Sequence, residues 1–280
     1  MTAPLSGSAL ADLHLHSTFS DGILTPEELA EQAAQGGIAV LALTDHDTLR
    51  GLPPMARALA ARGIRFIPGV ELSTRLEGRQ VHILGLGIRQ DDGELETRLA
   101  EVRDARRIRL KKILAKVRAL GLDIEMAPPA DGMRAVGRPH VARALVAAGY
   151  VRDVQEAFDR YLGEGKPAYE PQPKMSPAEG VALIHRAGGL AVQAHPEEVG
   201  NRELVRSLLA MLPYDGVEIW HPSADGEAQA FWRQEAARRG LLVTGGSDFH
   251  GNAGRFPDRL GLWKVSVRSV QDILRRFGLL

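Results

Sequence analysis

The sequence predicts an α/β fold, a barrel-like sheet of βα units interrupted by a helical insertion. Short runs rich in Val, Ile and Leu recur along the chain, each followed by a helical pattern, and this alternation predicts βα units around a parallel sheet. Between about residues 92 and 174 only helical patterns occur. A chain of 280 residues is long enough for a barrel that carries a smaller inserted domain.

Seven runs have the strand pattern: residues 11–15, 39–43, 65–70, 81–87, 190–194, 216–220 and 241–245. Two helix starts support the phase of this pattern. Thr25 and Ser176 each precede a proline and have a glutamate three positions later, Glu28 and Glu179. A capping box with proline at the first helical position has this arrangement, so we expect helices to begin at both places.

The helical region predicts an insertion between the fourth and fifth strands. A long helix is expected from about residue 94 to 120, and two shorter ones at about 141–148 and 154–162. We therefore expect a barrel made of residues 9–92 and 174–280 and an insertion domain at 93–173. Because barrels place their active sites at the carboxyl ends of the strands, the insertion is expected to act as a lid there.

Composition limits the classes of function and of site. The chain has 35 basic and 35 acidic residues, so it has no global charge that favours nucleic acid or an anionic membrane. We expect no membrane partner and no stable nucleic-acid complex. Cysteine is absent, so a metal site would use imidazole and carboxylate ligands. The sequence shows neither a secretory signal nor an apolar run of membrane-spanning length, which predicts a cytoplasmic protein.

Histidines and carboxylates recur at the ends of the first three predicted strands. His14 and His16 are two residues apart, so a strand turns both side chains to one face. Asp21 follows in a turn, His46 comes where the second strand ends, and Glu71 ends the third. A buried carboxylate is costly unless it meets a metal ion or a hydrogen-bond donor, so this placement predicts a metal site.

The later strands add donors of the same kind. His82 interrupts the fourth predicted strand, His195 follows the fifth, and Asp248 and His250 follow the last. These positions are explained better by one shared site than by separate packing roles. Asp47 is interpreted differently, as an N-cap or turn aspartate that could cap the segment that follows it.

In these motifs the chain resembles proteins of the PHP domain family, the polymerase and histidinol phosphatase superfamily. The motifs are DLHLHSTFSDG at 12–22, TDHD at 44–47, GVELS at 69–73, VHILG at 81–85, AHP at 194–196 and GSDFH at 246–250. The resemblance is to the stand-alone branch of 3′,5′-nucleotide bisphosphate phosphatases and 5′–3′ exoribonucleases. It implies a distorted (β/α)7 TIM-like barrel, an α/β fold in agreement with the pattern above.

The resemblance also implies two or three divalent metal ions, manganese, iron or zinc. It assigns His14, His16, Glu71 and Asp248 to one ion, Glu71, His82 and His195 to a second, and Asp21, His46 and His250 to a third. Many members of the superfamily have a histidine where this chain has Asp21. That difference favours manganese or iron over zinc, within the overlap of metal affinities that nitrogen and oxygen sites show.

The expected reaction is hydrolysis of a phosphate ester by a metal-activated hydroxide, without a phosphoenzyme. Two ions roughly 3.5–4 Å apart lower the pKa of a bridging water and neutralise charge on the phosphate. The predicted catalytic residues are Asp21, His46, Glu71, Asp248 and His250.

The expected substrate is a small phosphorylated molecule. In this branch it is a 3′,5′-bisphosphate nucleotide, which loses its 3′-phosphate, or a short RNA degraded from its 5′ end. The predicted substrate-binding residues are Arg138, His140, Lys166, His221 and Ser247. The basic segment 101–118 is interpreted as a solvated helix face, with guidance of RNA as the alternative.

Other functions stay open on the sequence. A phosphodiesterase for a cyclic sugar phosphate is one, and a histidinol phosphatase, which Asp21 and the all-helical insertion disfavour, is another. A non-catalytic PHP module would be expected to lack some ligands, and none is missing here. A metal-dependent amidohydrolase usually has a bridging modified lysine on the fourth strand, where this chain has His82.

Overall fold

The structure, a computed structural model, describes residues 5–126, 137–171, 175–251 and 257–280. The strands are β1 (Leu10–Asp12), β2 (Ile38–Leu43), β3 (Arg65–Leu76), β4 (Arg79–Leu86), β5 (Leu190–Gln193), β6 (Gly216–Trp220), β7 (Leu242–Gly245) and β8 (Val265–Ser266). The α-helices are α1 (Pro26–Gln35), α2 (Leu52–Ala60), α3 (Gly93–Ala119), α4 (Arg138–Ala147), α5 (Val154–Ala157), α6 (Pro177–Arg186), α7 (Arg202–Met211), α8 (Gly226–Arg239) and α9 (Gln271–Arg276). A π-helix spans Phe158–Leu162, and 3-10 helices span Pro196–Val199 and Val267–Val270.

The strands form one nearly closed barrel, in the order β7-β6-β5-β4-β3-β2-β1-β8. The two ends of the sheet approach each other beyond β1 and β7. There the Leu13 N–H donates to the Gly245 carbonyl at 3.2 Å, and Leu15 forms a parallel bridge with Phe249. The predicted α/β barrel is therefore confirmed. Among the described helices, none has the length and apolar character needed to cross a membrane.

The sheet is mixed, although the sequence pattern led us to expect a parallel one. Strand β4 runs antiparallel to both β3 and β5. Only Glu77 and Gly78 separate β3 from β4, with φ of 48° and 79°. Positive φ at both positions is the geometry of a two-residue hairpin, which leaves no room for a crossover helix. The eighth strand, β8, pairs antiparallel with β1 and was not predicted, because its two residues are too few to show a period.

Two predicted strand ends move in ways that affect the site. Strand β1 ends at Asp12, so His14 and His16 belong to the segment that follows it. Strand β3 continues to Leu76, so Glu71 lies inside the strand instead of at its end. The hairpin with β4 explains the extension, because it pairs Glu71 with Leu84 and the following residues in register.

Both predicted capping boxes are present. At α1 the Thr25 hydroxyl accepts from the Glu28 N–H at 3.2 Å, while the Glu28 carboxylate accepts from the Thr25 N–H at 2.8 Å. Ser176 and Glu179 make the same reciprocal pair at α6, at 3.3 and 2.7 Å. Each box satisfies two backbone donors that the first turn of a helix leaves free, so these starts are encoded locally.

The chain divides into two compact units. The first comprises the residues up to Thr97 and those from Met175 onward. Its core is formed by apolar side chains of the barrel strands and the C-terminal segment, including Leu13, Val40, Ile67, Leu84, Val192 and Ile273. This unit contains all the predicted metal ligands.

The second unit extends from Arg98 to Lys174. Its core includes Ile113, Val117, Val141, Leu145, Leu162 and Ala168. Two basic side chains of α3 have a partner within the unit: Lys112 and Lys116 both bind the Glu170 carboxylate, at 3.0 and 2.8 Å. The domain boundary predicted at residues 173 and 174 lies outside the described residues, so the division into 9–92 with 174–280 and 93–173 stays a prediction.

Candidate metal centre

Glu71 is the centre of a cluster of histidines. Its side chain is buried, and its Oε1 lies 2.9 Å from His82 Nδ1 and 3.0 Å from His195 Nε2. Its Oε2 lies 3.3, 3.1 and 3.2 Å from ring nitrogens of His14, His16 and His46. One carboxylate on β3 therefore contacts five imidazoles from four separate segments of the sequence.

Asp248 completes a buried group with three of these residues. Its Oδ1 lies 3.1 Å from His16 Nε2 and 3.4 Å from His14 Nε2. One donor atom from each of His14, His16, Glu71 and Asp248 lies within 4.8 Å of the others. The structure thus brings together the four residues that the resemblance assigned to one ion.

A second group surrounds Asp21. His250 Nε2 lies 3.1 Å from Asp21 Oδ1, and His46 Nε2 lies 3.9 Å from Oδ2. Donor atoms of Asp21, His46, His250 and also His16 lie within 4.8 Å of one another. The grouping contains the three residues assigned to the third ion and adds His16, which lies between the two groups.

The remaining predicted ligands meet at the other oxygen of Glu71. Donor atoms of His46, Glu71 and His82 lie within 4.8 Å of one another. His195 contacts the same Oε1 as His82, but it is not part of the group whose donor atoms all lie within 4.8 Å of one another. The two histidines assigned to the second ion therefore share the third residue of that set, Glu71. His46 is close to Glu71 and His82 as well.

Glycines allow the ligand-bearing segments to approach each other. A Cβ at Gly246 would lie 2.4 Å from the His14 backbone nitrogen, and a Cβ at Gly22 would lie 2.4 Å from the His16 carbonyl oxygen. Both distances are far below contact. The segments before Asp248 and after Asp21 can therefore pass beside the two histidines only with glycine at these positions.

A buried carboxylate holds the loop that carries Asp21. Asp45 accepts from the Ser17 N–H at 2.8 Å, from the Ser17 hydroxyl at 2.7 Å and from the Ser20 hydroxyl at 2.7 Å. These bonds tie residues 17–20 to the end of β2. Asp45 thus fixes the turn from which Asp21 projects toward His250.

Backbone strain is concentrated at the centre. In the described parts of the chain, the non-glycine residues with positive φ are Asp47, Glu77, His195 and Asp248. Such conformations cost on the order of 1–3 kcal/mol each and persist only where neighbouring groups hold them. Here the Asp248 N–H donates to the His14 carbonyl at 2.8 Å, and the Asp47 N–H donates to the Glu71 carbonyl at 3.0 Å.

Asp47 lies in a turn, one of its two predicted roles, and it is not the N-cap of the following helix. Helix α2 has Gly51 at its N-cap, and the Asp47 carboxylate accepts instead from the Ser73 N–H at 3.0 Å. Asp47 therefore links the end of β2 to β3 beside Glu71, a contact across 26 residues that a local capping rule does not detect.

The cluster perturbs proton affinities in opposite directions. Burial alone would lower the pKa of His16, but the Asp248 and Glu71 carboxylates outweigh it and raise the pKa to about 10. For His195, burial is likewise outweighed by the Glu71 carboxylate, and the pKa rises to about 9. Burial lowers the pKa of His46 to about 3 despite its two carboxylate neighbours. The carboxylates thus hold protons on some rings, and divalent cations would provide the same compensation.

The donor set fits metal ions. His16 Nε2, His46 Nδ1 and His250 Nε2 are buried and make no hydrogen bond within the described residues. Each nevertheless lies 3.1 or 3.2 Å from a carboxylate oxygen. Buried ring nitrogens without a hydrogen-bond partner need another partner, and a metal ion can provide it. With nitrogen and oxygen donors alone, the cluster suits divalent metal ions.

Two predicted substrate-binding residues lie in the same unit as the cluster. His221 is buried beside Asp248, with Nε2 3.6 Å from Asp248 Oδ2, and its Nδ1 lies 2.7 Å from the Ser223 hydroxyl. Ser247 is also buried, and its N–H donates to the Asp12 carboxylate at 2.9 Å. Both residues are therefore next to predicted ligands.

The other three predicted substrate-binding residues belong to the second unit. Arg138 opens α4, donates to the Leu162 carbonyl at 3.2 Å and lies over the ring of Tyr169 at 5.6 Å. His140 Nδ1 accepts from the Gly137 N–H at 3.3 Å, and Lys166 is exposed. The structure thus does not group these three with the metal ligands, and their role stays a prediction.

Sequence reasoning missed Glu218, which lies in β6 and is 1% exposed. Its carboxylate contacts His14 Nδ1 through both oxygens, at 3.0 and 3.2 Å, and accepts from the His195 N–H at 2.8 Å. The available signal was a glutamate inside an apolar strand, where a carboxylate needs a partner.

Three comparisons place these features among known proteins. The PHP domain family model matches residues 12–125. A 3′,5′-nucleoside bisphosphate phosphatase from Chromobacterium violaceum is 39% identical over 87% of this chain and 89% of its own. A 5′-3′ exoribonuclease from Haemophilus influenzae is 37% identical over 85% and 89%. A crystal structure from Bifidobacterium adolescentis, of a protein assigned as a metal-dependent phosphoesterase, is 33% identical with a TM-score of 0.76, covering 95% of this chain and 96% of that one.

Proposed function

We propose, because the chain belongs to the PHP domain family, that this metal-dependent phosphoesterase removes the 3′-phosphate from 3′,5′-bisphosphate nucleotides. The contact of the buried Glu71 with five imidazoles, beside Asp248 and Asp21, is the observation that carries the chemistry. The substrate is inferred from the Chromobacterium violaceum relative. Degradation of short RNA from its 5′ end is a second activity, inferred from the Haemophilus influenzae relative.

We assign the ligands in three sets that share residues. His14, His16, Glu71 and Asp248 would hold one ion, Glu71, His82 and His195 a second, and Asp21, His46 and His250 a third. When bound, the ions would lower the pKa of a water molecule and neutralise charge on the phosphate. Asp21 in place of a histidine makes manganese or iron the preferred ion, with zinc as the alternative.

The exposure of the carboxylates indicates the side from which substrate approaches. The Asp21 side chain is 26% exposed, compared with 1% for Glu71 and 6% for Asp248. We therefore place the scissile phosphate on the side of Asp21, His46 and His250. The buried residues would help to hold the ions that activate the attacking water, which fits direct hydrolysis without a phosphoenzyme.

His221 is the proposed general acid. It is buried beside Asp248, and the Ser223 hydroxyl near its Nδ1 fixes the direction of its Nε2. A proton donated from Nε2 would neutralise the oxygen of the departing ribose hydroxyl. Replacement of His221 by Ala should then lower kcat for nucleotide substrates far more than for 4-nitrophenyl phosphate, whose leaving group needs no proton. Equal losses on both substrates would remove this role.

In the second unit, Arg138, His140 and Lys166 are proposed to bind substrate phosphate. Replacing Arg138 by Ala should raise KM while the metal content stays unchanged, because a guanidinium can bind phosphate with two hydrogen bonds. Arg138→Lys, which keeps the charge but loses that geometry, should give an intermediate KM. Arg143→Ala, on the exposed side of the same helix, is the matched control. Kinetics of Arg138→Ala equal to those of the control would exclude Arg138.

A substrate panel tests the proposed function. It would contain adenosine 3′,5′-bisphosphate, a short 5′-phosphorylated RNA, a phosphoribosyl cyclic phosphate and histidinol phosphate. We expect 5′-nucleotide and phosphate from the first compound, with one oxygen of the phosphate coming from labelled water. Preference for the cyclic phosphate or for histidinol phosphate would favour one of those alternatives. Fewer than two ions per chain after reconstitution, together with no hydrolysis, would favour a structural PHP module. The cytoplasmic location stays a prediction.

A further inference from the structure

Glu218 is a buried carboxylate that the proposed chemistry leaves without a role. It lies on β6, and no ion set described above includes it. One of its contacts is with the His14 ring, at Nδ1, on the side away from Glu71. The other is with a backbone group, the His195 N–H, at 2.8 Å.

These two partners belong to different proposed ion sites. His14 is grouped with His16 and Asp248, whereas His195 is grouped with His82. Glu71 joins the two sets from one side, since it contacts both His14 and His195 at 3.3 and 3.0 Å. Glu218 contacts the same two residues through other atoms.

The hydrogen bond to His14 decides which of its ring nitrogens faces the centre. A proton on Nδ1 donated to Glu218 leaves the lone pair of Nε2 free. That nitrogen lies 3.3 Å from Glu71 Oε2 and 3.4 Å from Asp248 Oδ1. A carboxylate behind a histidine therefore sets both the tautomer and the ring orientation that a cation requires.

The hydrogen bond to His195 holds an unfavourable backbone. His195 has φ of 22° and ψ of 67° and follows the end of β5. A non-glycine residue in this region needs support from its neighbours. The Glu218 carboxylate provides this support because it accepts a hydrogen bond from the His195 N–H. The same bond directs the His195 ring toward Glu71 Oε1.

We propose that Glu218 is a positioning residue that sets the geometry of two adjacent ion sites at once, one through the His14 ring and the other through the His195 backbone. The inference rests on the proposed function, since it takes both histidines as ligands. It predicts that loss of Glu218 weakens two ions together.

Glu218→Gln tests the coupling. The amide keeps the size of the side chain but loses the negative charge. In either orientation its NH2 group would also face an N–H donor, His14 Nδ1–H from the Oε1 position at 3.0 Å or the His195 N–H from the Oε2 position at 2.8 Å. We expect the dissociation constants of two Mn²⁺ ions to rise by roughly 10–100-fold each, measured by titration calorimetry of the ion-free protein. The visible absorption spectrum of the Co²⁺-loaded variant should change as well, because the ligand geometry changes.

Glu235→Gln is the matched control. Glu235 is also 1% exposed and pairs with Arg206 and Arg238. Its replacement should lower the unfolding temperature but leave the Mn²⁺ affinities and the Co²⁺ spectrum unchanged. Glu218→Asp supplies a second measurement if the Gln variant does not fold. The shorter carboxylate should keep only one of the two contacts and so weaken at least one ion.

The inference would be overturned if Glu218→Gln bound Mn²⁺ with the wild-type affinities. Where that variant does not fold, the same result in Glu218→Asp would overturn it. Weakening of a single ion in Glu218→Gln would overturn the coupling. A wild-type chain that binds no ions would instead refute the proposed function, so the two failures are distinguishable.

Discussion

Replacement of Glu71 by Gln is the most informative perturbation of this centre. The two oxygens of Glu71 lie 2.9–3.3 Å from five imidazole nitrogens, so no other side chain in the cluster meets as many proposed ligands. Gln has nearly the same shape but replaces one oxygen by an NH2 group, which cannot bind a cation. The change would therefore remove the proposed bridging ligand while it leaves the packing nearly intact.

The expected loss of activity follows from the loss of one or both of the ions that Glu71 is proposed to hold. An ion that neutralises charge in the transition state contributes several kcal/mol. A loss of about 4 kcal/mol corresponds to a decrease of about 10³-fold in kcat/KM. We expect a decrease of at least this size, and fewer ions retained per chain.

Without ions, the Glu71→Gln variant should also be less stable than the ion-free wild type at neutral pH. Burial of His195 opposes protonation of its ring, but the Glu71 carboxylate favours it more strongly and raises the pKa of His195 to about 9. At pH 7 this bound proton contributes on the order of 2 kcal/mol to folding, and the contribution disappears as pH rises through 9. The difference in unfolding free energy between wild type and Glu71→Gln should therefore shrink between pH 7 and pH 10.

The assay combines metal analysis, steady-state kinetics and denaturant unfolding of the ion-free proteins. Glu71→Asp is the control that keeps the charge and should retain more metal than Glu71→Gln. A Gln variant that keeps the wild-type number of ions and more than about a tenth of the wild-type kcat/KM would refute the assignment of Glu71 as a bridging ligand.

Four further outcomes are expected. Neighbouring carboxylates outweigh burial and raise the pKa of His16 to about 10 and of His195 to about 9, so Mn²⁺ must displace protons when it binds. The affinity of the protein for Mn²⁺ should therefore increase from pH 6.5 to 9. Calorimetry in buffers of different ionisation enthalpy should detect the released protons. By the same linkage, the ion-free protein should lose stability over this pH range, because the raised pKa values favour the folded state fully only below about 6.5. Gly246→Ala should lower the unfolding free energy by about 1–3 kcal/mol and weaken Mn²⁺ binding, because its Cβ would lie 2.4 Å from the His14 nitrogen; unchanged binding would contradict this. Thr25→Ala should cost about 1 kcal/mol in unfolding experiments by removing the cap of α1, and kcat should not change.

The sequence alone determined the features that depend on neighbouring residues. The starts of α1 and α6 follow from Thr25 and Ser176, because a capping box closes within four residues. The type and order of most strands follow from apolar runs that are local as well. The motifs also named the histidines and carboxylates that the fold brings together, since each motif is a short segment beside a strand.

The tertiary structure decided which of these groups meet and what holds them. Glu218 contacts His14 across 204 positions of sequence, and Asp45 holds Ser17 across 28, so neither partnership leaves a local pattern. The antiparallel direction of β4 likewise depends on pairing with β3 and β5. A local segment fixes which donors are available, whereas the closure of the barrel brings donors from distant segments within a few ångströms of one another.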